Sequence, residues 1–325
     1  MVSAKDVIVI MWNHGEEKIS EKMPKEPVVV YKKDQQVLSY VSVMADKEKL
    51  LGRVVKYCEP AGLNYENNRQ YSPSGAFVLE GVPVDSKFDY SWEEKPLWRG
   101  YHPLIICKAL SRLVNPTTVS VEYAARCFFE GAELISIAPQ NYYGWATAAF
   151  LPMSEEEVGK QRSWFTVEEI SSLNKLFGEF LNGKLPERLS GLLWFYELAF
   201  STEIRTVRWL LISQALQVAV STDSVKVRQQ FLKRLPELAK GVGIAIEKKE
   251  IEDLWVYRNK VSHGGRLKEA TSEEFRLLQK AEEIIRRTIK KALLDVNFAS
   301  IWGNEDVIRQ KWPVDLSCKK EQKTT

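Results

Sequence analysis

Cysteine and histidine are scarce in this chain, four of one and three of the other in 325 residues. Cys58, Cys107, Cys127 and Cys318 show no C-x-x-C spacing, and the cysteines and histidines form no clustered ligand set, so neither a disulfide framework nor a structural zinc is expected. An excess of one charge is also missing: 46 Lys and Arg stand against 43 Asp and Glu, a formal net charge of +3. No strong whole-chain field therefore announces nucleic acid, a membrane surface or an acidic partner, and affinity for phosphate needs a local patch. No apolar run approaches the roughly 20 residues that a bilayer span requires, which excludes a spanning membrane protein. Without a signal-peptide pattern, the chain reads as reduced and cytoplasmic, with no metal and no cofactor.

What is present divides the chain by period. At 45% hydrophobic content, 325 residues suffice for two cores. Up to about residue 160, runs rich in Val, Ile and aromatics predict strands at 6–12, 26–33, 37–44, 53–58 and 75–84, with Pro, Gly and Asn between them. Helices are predicted over 102–113 and 120–129, and a returning strand over 133–138. This makes residues 1–160 an α+β domain, and it holds no diagnostic catalytic set. Glu93 and Glu94 adjoin aromatics at no spacing that fits a reaction, and His102, before Pro103 at a helix start, reads as structural or surface. Trp12, Trp92, Trp98 and Trp145 are expected mostly in the core.

From Thr166 the period becomes helical. Thr166 with Glu169 predicts a capping box, followed by an apolar face from Val167 to Leu181 and an Asn182-Gly183 stop. Pro186 starts a second helix and Ser201-Thr202-Glu203 a third; a fourth covers 224–240 with Pro236 interrupting it, a fifth 249–262, and Thr271 with Glu274 a sixth reaching about Val296. Short loops between amphipathic helices predict an all-α antiparallel bundle over 161–298, followed by an extension and frayed tail at 299–325.

The segment carrying chemistry is VYRNKVSHGG, residues 256–265. Asn259 and His263 are four apart on one helix face, so the amide is placed to hydrogen-bond the imidazole and fix its tautomer. Arg258 has the reach to bring its guanidinium around, and Gly264-Gly265 supplies a left-handed cap that leaves the helix end open. These are the ingredients of metal-independent phosphodiester chemistry on RNA, in which a base takes the 2′-hydroxyl proton, an acid protonates the leaving 5′-oxygen, and a cation meets the charge growing on phosphate. One histidine cannot do both proton jobs, so a two-fold dimer lining one cleft with the same helix end from each chain is the economical arrangement. The pattern also fits a plain helix C-cap in which cations complement the dipole and no substrate is present.

The helical array with LWVYRNKVSHGG in its penultimate helix resembles the HEPN superfamily, and Tyr-Arg-Asn-x3-His-Gly most resembles its Apea-like branch, over residues 165–296. The preceding run RWLLISQALQVAV is similar to the helix before the charged one in that family; residues 1–160 resemble nothing we can name. The resemblance implies a dimerising all-α domain with a metal-independent ribonuclease site, in which Arg258 stabilises the scissile phosphate, Asn259 orients the site and His263 transfers protons. It further implies a toxin or anti-phage effector whose partners are a second copy, RNA, and an antitoxin or trigger protein, with residues 1–160 as sensor or regulator. Related sequences often carry an acid where this chain has Gln217, and inactive members serve in binding, so a catalytically inactive dimerisation, nucleotide-binding or partner-binding module is the alternative. Ser213 and Gln217 read as a solvated polar stripe outside the site. RRTIKK (286–291) and KVRQQFLKR (226–234) are basic runs that either guide RNA backbone or lie on exposed faces.

Overall fold

The computed structural model describes residues 2–13, 21–47, 49–58, 71–86, 102–115, 120–139, 145–146, 164–200, 202, 204–265, 267 and 271–315. The chain divides into two compact units, one of Met1–Gly183 with Glu197–Arg208, the other of Lys184–Tyr196 with Trp209–Thr325. An antiparallel sheet region lies N-terminally and a helical region C-terminally, as expected of an α+β chain.

Strands β1 (Val2–Asn13), β2 (Val28–Lys33), β3 (Gln36–Ser42), β4 (Tyr71–Val82), β5 (Ser120–Glu130) and β6 (Glu133–Pro139) lie in the order β2-β3-β4-β1-β5-β6. A short β7 (Trp145–Ala146) pairs with the start of β5. Alternation along each strand sends side chains to two faces. One face gathers Val7, Val9, Ala76, Val78, Ala125 and Cys127 against Leu50, Leu51 and Val54 of α1 (Leu50–Cys58). Helices α2 (Pro103–Val114) and α3 (Val167–Leu181) also pack on the sheet. There the Tyr40 ring lies 5.6 Å from Phe77 and 5.4 Å from Phe165, and its hydroxyl accepts from the Phe165 N–H at 3.3 Å. Gly75 makes room for it, since a Cβ at that position would stand 2.5 Å from the Tyr40 hydroxyl oxygen.

Three segments of the first unit differ from the sequence expectation. Residues 53–58, expected as a strand from their valines, end helix α1 instead. Both oxygens of Asp46 accept from the N–H groups of Leu50 and Leu51 at 2.9 Å, which fixes the first turn, and burial of Leu50, Leu51 and Val54 outweighs β-branched propensity. Residues 120–129, expected as a helix, form β5 between β1 and β6. Ala124, Ala125, Arg126 and Cys127 are all buried, and a strand covered on both faces shows no alternation to set it apart from a buried helix. Helix α3 has the predicted capping box, yet it packs on β2 and α2 of the first unit. Tyr31 of β2 meets Phe177 at 5.0 Å, and the Asn174 amide donates to the Val30 carbonyl at 2.6 Å.

The second unit comprises the larger parts of α4 (Glu187–Phe200) and α5 (Arg205–Val220), then α6 (Val227–Gly241), α7 (Lys248–Ser262), α8 (Ser272–Leu294), α9 (Val296–Ala299), a 3-10 turn at Ser300–Trp302, and α10 (Glu305–Lys311). Helix α6 runs through Pro236 rather than breaking there, because buried Leu235, Leu238 and Ala239 hold it on either side of the missing N–H. The segment after residue 299 is integral to this core: Trp302 and Trp312 are buried, and the Trp302 indole donates to the Ala219 carbonyl at 3.0 Å. Arg234, wholly buried, donates to the carbonyls of Trp312 and Val220 at 2.8 Å each and to Thr222 Oγ1 and Gln230 Oε1 at 3.0 Å each. Among the described residues no helix is long and apolar enough to cross a membrane.

The first unit contains a buried ionic group as well. Arg126 grips Asp6 with Nε at 2.6 Å from Oδ1 and Nη2 at 2.8 Å from Oδ2, and also donates to the Ser86 carbonyl. His102 places Nε2 3.0 Å from Asp6 Oδ2 while its Nδ1 accepts from the Leu104 N–H, capping α2. Burial alone would push the Asp6 carboxyl up, but hydrogen bonds from Arg126 and His102, aided by their charges, hold it below the usual carboxylate range. The native value lies below the unfolded one, so this contribution is fully present above roughly pH 4 and is lost as pH falls through the native value. Asp6→Asn is expected to destabilise the first unit by about 3 kcal/mol at pH 7, because it strips a buried guanidinium of its counter-charge. Thermal melting across pH should show the gap between the two proteins narrowing below about pH 4.

Candidate functional site

Helix α7 carries Glu250 in its first turn, whose carboxylate accepts from the Glu247 N–H at 2.8 Å, and buries Ile251, Leu254, Trp255 and Val261. Trp255 meets Phe231 of α6 at 5.5 Å, and Tyr257 stacks on Trp209 of α5 at 4.8 Å and 18°. The Trp209 indole in turn donates to Glu274 Oε1 of α8 at 2.8 Å. Two consecutive residues, Tyr257 and Arg258, thus hold α7 to α5.

Arg258 is half-buried. Its Nε and Nη2 both donate to Oε1 of Gln217, at 3.0 and 2.6 Å, and its Nη1 donates to Oδ1 of Asn259 at 2.9 Å. Two N–H donors converge on one atom of the Gln217 amide, so that atom is the oxygen. The guanidinium carbon also lies 5.0 Å from the centre of the Trp255 ring, a cation–π contact that holds its plane. Gln217, which the sequence places on a solvated polar stripe, is therefore the main partner of Arg258, whereas Ser213 is buried. The pairing spans 41 residues, and nothing local in the sequence signals it.

Asn259 does not do what its spacing suggests. Its amide oxygen accepts from Arg258 rather than bonding His263, and the His263 imidazole is exposed, with no hydrogen-bond partner among the described residues. The structure joins Arg258, Asn259 and Gln217 into one cluster and leaves His263 at the helix end, where it is the C-cap residue and its backbone N–H donates to the Asn259 carbonyl at 3.1 Å.

The two glycines act differently. Gly264 takes φ +73 and donates to the Val261 carbonyl at 3.2 Å, while Gly265 donates to the Lys260 carbonyl at 2.8 Å. Together these bonds make a Schellman ending that satisfies the last carbonyls of α7. A Cβ on Gly264 would touch nothing, but one on Gly265 would stand 2.8 Å from the Lys260 carbonyl oxygen. The first glycine is needed for its backbone angle and the second for close approach.

Much of the basic character expected to guide RNA is bound within the protein. Arg286 and Arg287 both reach Glu283 at 2.6 Å, Arg287 also donates to the Gly243 carbonyl at 3.2 Å, and Lys291 donates to the Gly241 carbonyl at 2.8 Å. The last two close the carbonyl end of α6. Of the 226–234 run, Arg234 is buried, while Arg228 and Lys233 remain exposed. Among the described residues no group of three His, Cys, Asp or Glu side chains is arranged to hold a metal ion. Cys107 and Cys127 are buried, and burial pushes the Cys107 thiol well up. His14, Glu93, Glu94, Trp92, Trp98 and Cys318, and the side chains of Trp12, Trp145 and Cys58, lie outside the described residues.

Gly264→Ala is expected to cost about 1 kcal/mol through the left-handed backbone angle, with Gly264→Asn costing less; urea unfolding of the two variants measures the difference.

No family model matches the chain, and no solved structure matches it significantly. Among curated proteins, a leucine–tRNA ligase of Nanoarchaeum equitans (strain Kin4-M) is 26% identical over 182 residues, covering 51% of this chain. The chain covers only 18% of the length of that ligase.

Proposed function

We propose that the chain is a metal-independent endoribonuclease effector of the HEPN type, acting as a cytoplasmic homodimer through Arg258, Asn259 and His263. The observation that carries this reading is the contrast at one helix end: a guanidinium held by Gln217, Asn259 and Trp255, and an exposed imidazole with no hydrogen-bond partner among the described residues. The first is ordered for an anion and the second is accessible for proton transfer. In the reaction, the 2′-oxygen attacks phosphorus and its proton passes to one imidazole. The bond to the 5′-oxygen breaks, and the leaving oxygen takes a proton from a second imidazole, supplied by the other copy across a two-fold axis. Arg258 meets the charge growing on the phosphate oxygens. The products are a 2′,3′-cyclic phosphate and a free 5′-hydroxyl. In this reading the sheet-containing unit is the sensor or regulator, and an antitoxin or trigger protein is a further partner.

RNA cleavage in EDTA tests the reading. The unaltered chain should leave 2′,3′-cyclic phosphate ends, with the rate falling about 100-fold or more in His263→Ala and in Arg258→Ala. Equal activity in both variants would mark a contaminating nuclease. Binding of RNA without cleavage would instead support an inactive binding or dimerisation module. Overproduction of the unaltered chain should slow growth of the host, and His263→Ala should not.

A further inference from the structure

We infer that Gln217 is a positioning residue for anion binding at Arg258, fixing the guanidinium while leaving its positive charge for a phosphodiester. The inference rests on the ribonuclease reading for the identity of the anion, and on the geometry for everything else. A guanidinium has five N–H donors in one plane. Gln217 Oε1 takes one from Nε and one from Nη2, and Asn259 Oδ1 takes one from Nη1. One N–H on each terminal nitrogen is left, and no other hydrogen-bond partner meets them among the described residues. Those two donors are the ones left for the oxygens of a phosphate. The Trp255 ring, 5.0 Å from the guanidinium carbon, limits rotation of the plane, so the free pair keeps one direction.

The chemistry of the acceptor decides what the free pair can bind. A carboxylate in the place of Gln217 would grip the same edge, but it would neutralise the cation and compete with phosphate for it. An amide oxygen accepts the same hydrogen bonds and carries no charge. The glutamine is thus suited to hold Arg258 still for an anion that arrives from solution, whereas an acid there would favour the resting ion pair.

The test uses the full chain and a fluorescent 2′-O-methyl oligoribonucleotide, which binds as RNA does but has no 2′-hydroxyl to attack. Gln217→Glu should weaken binding roughly tenfold at low salt, and Arg258→Ala by at least as much. Gln217→Met, which removes the acceptor without adding charge, should weaken it a few-fold. Both Gln217 effects should vanish in the Arg258→Ala background, because the glutamine acts only through the arginine. Thermal melting checks that each variant is folded, and the methionine variant decides the matter should the glutamate variant unfold. The inference is overturned if Gln217→Glu, or failing that Gln217→Met, binds as tightly as the unaltered chain. It is overturned equally if its effect persists without Arg258, or if the unaltered chain does not bind. Should this binding pattern hold while ordinary RNA is left uncut, the nuclease reading falls and the role of Gln217 stands.

Discussion

Buried charge has to be met by partners, and in this protein that requirement links segments that are distant in sequence. A lone ion in an apolar interior is several kcal/mol less stable than in water, on the order of what a domain has in total, so each buried ionic group draws hydrogen-bonding elements around it. Asp6 ties β1 to β5 through Arg126 and to the start of α2 through His102. Glu197 receives Lys108 at 3.1 Å and Arg112 at 2.8 Å, both from α2. Among the described residues Arg234 has no carboxylate as a hydrogen-bond partner; it donates instead to oxygens of Val220 at the end of α5, of Thr222, of Gln230 in α6 and of Trp312. Through that last contact the C-terminal segment becomes part of the helical core.

The candidate site obeys the same requirement in a weaker form. Arg258 is only half-buried, and its partners are the neutral amides of Gln217 and Asn259, so its charge is ordered without being cancelled. His263 sits beyond the last turn, where the Schellman ending satisfies the helix carbonyls and the exposed ring has no hydrogen-bond partner among the described residues. The same helix thus carries one side chain that packing holds still and, five residues on, one that is exposed to solvent. The many bonded cations of α8 make the complementary point, because Arg286, Arg287 and Lys291 are engaged in closing α6 and pairing with Glu283.

Local rules are legible in the order of residues alone. The Thr166–Glu169 capping box, the Asn182-Gly183 stop, the left-handed Gly264 and the helices around 187–200, 205–220, 248–262 and 272–294 all follow from partners three to five positions apart. Contacts across long separations are not. The residues of β5 read as a helix because neighbours on both sides bury the strand and erase the alternation that marks one. The α1 valines read as a strand because Asp46, which caps them into a helix, lies outside their run. Spacing pairs Asn259 with the wrong neighbour, since it gives which side chains share a helix face but not which one a nearer guanidinium will claim. Gln217 joins the site only because Tyr257 and Arg258 of α7 meet Trp209 and Gln217 of α5, bringing together residues 41 positions apart along the chain. Periodicity arises from bonds within one segment, whereas the company a side chain keeps depends on which segments a core brings together.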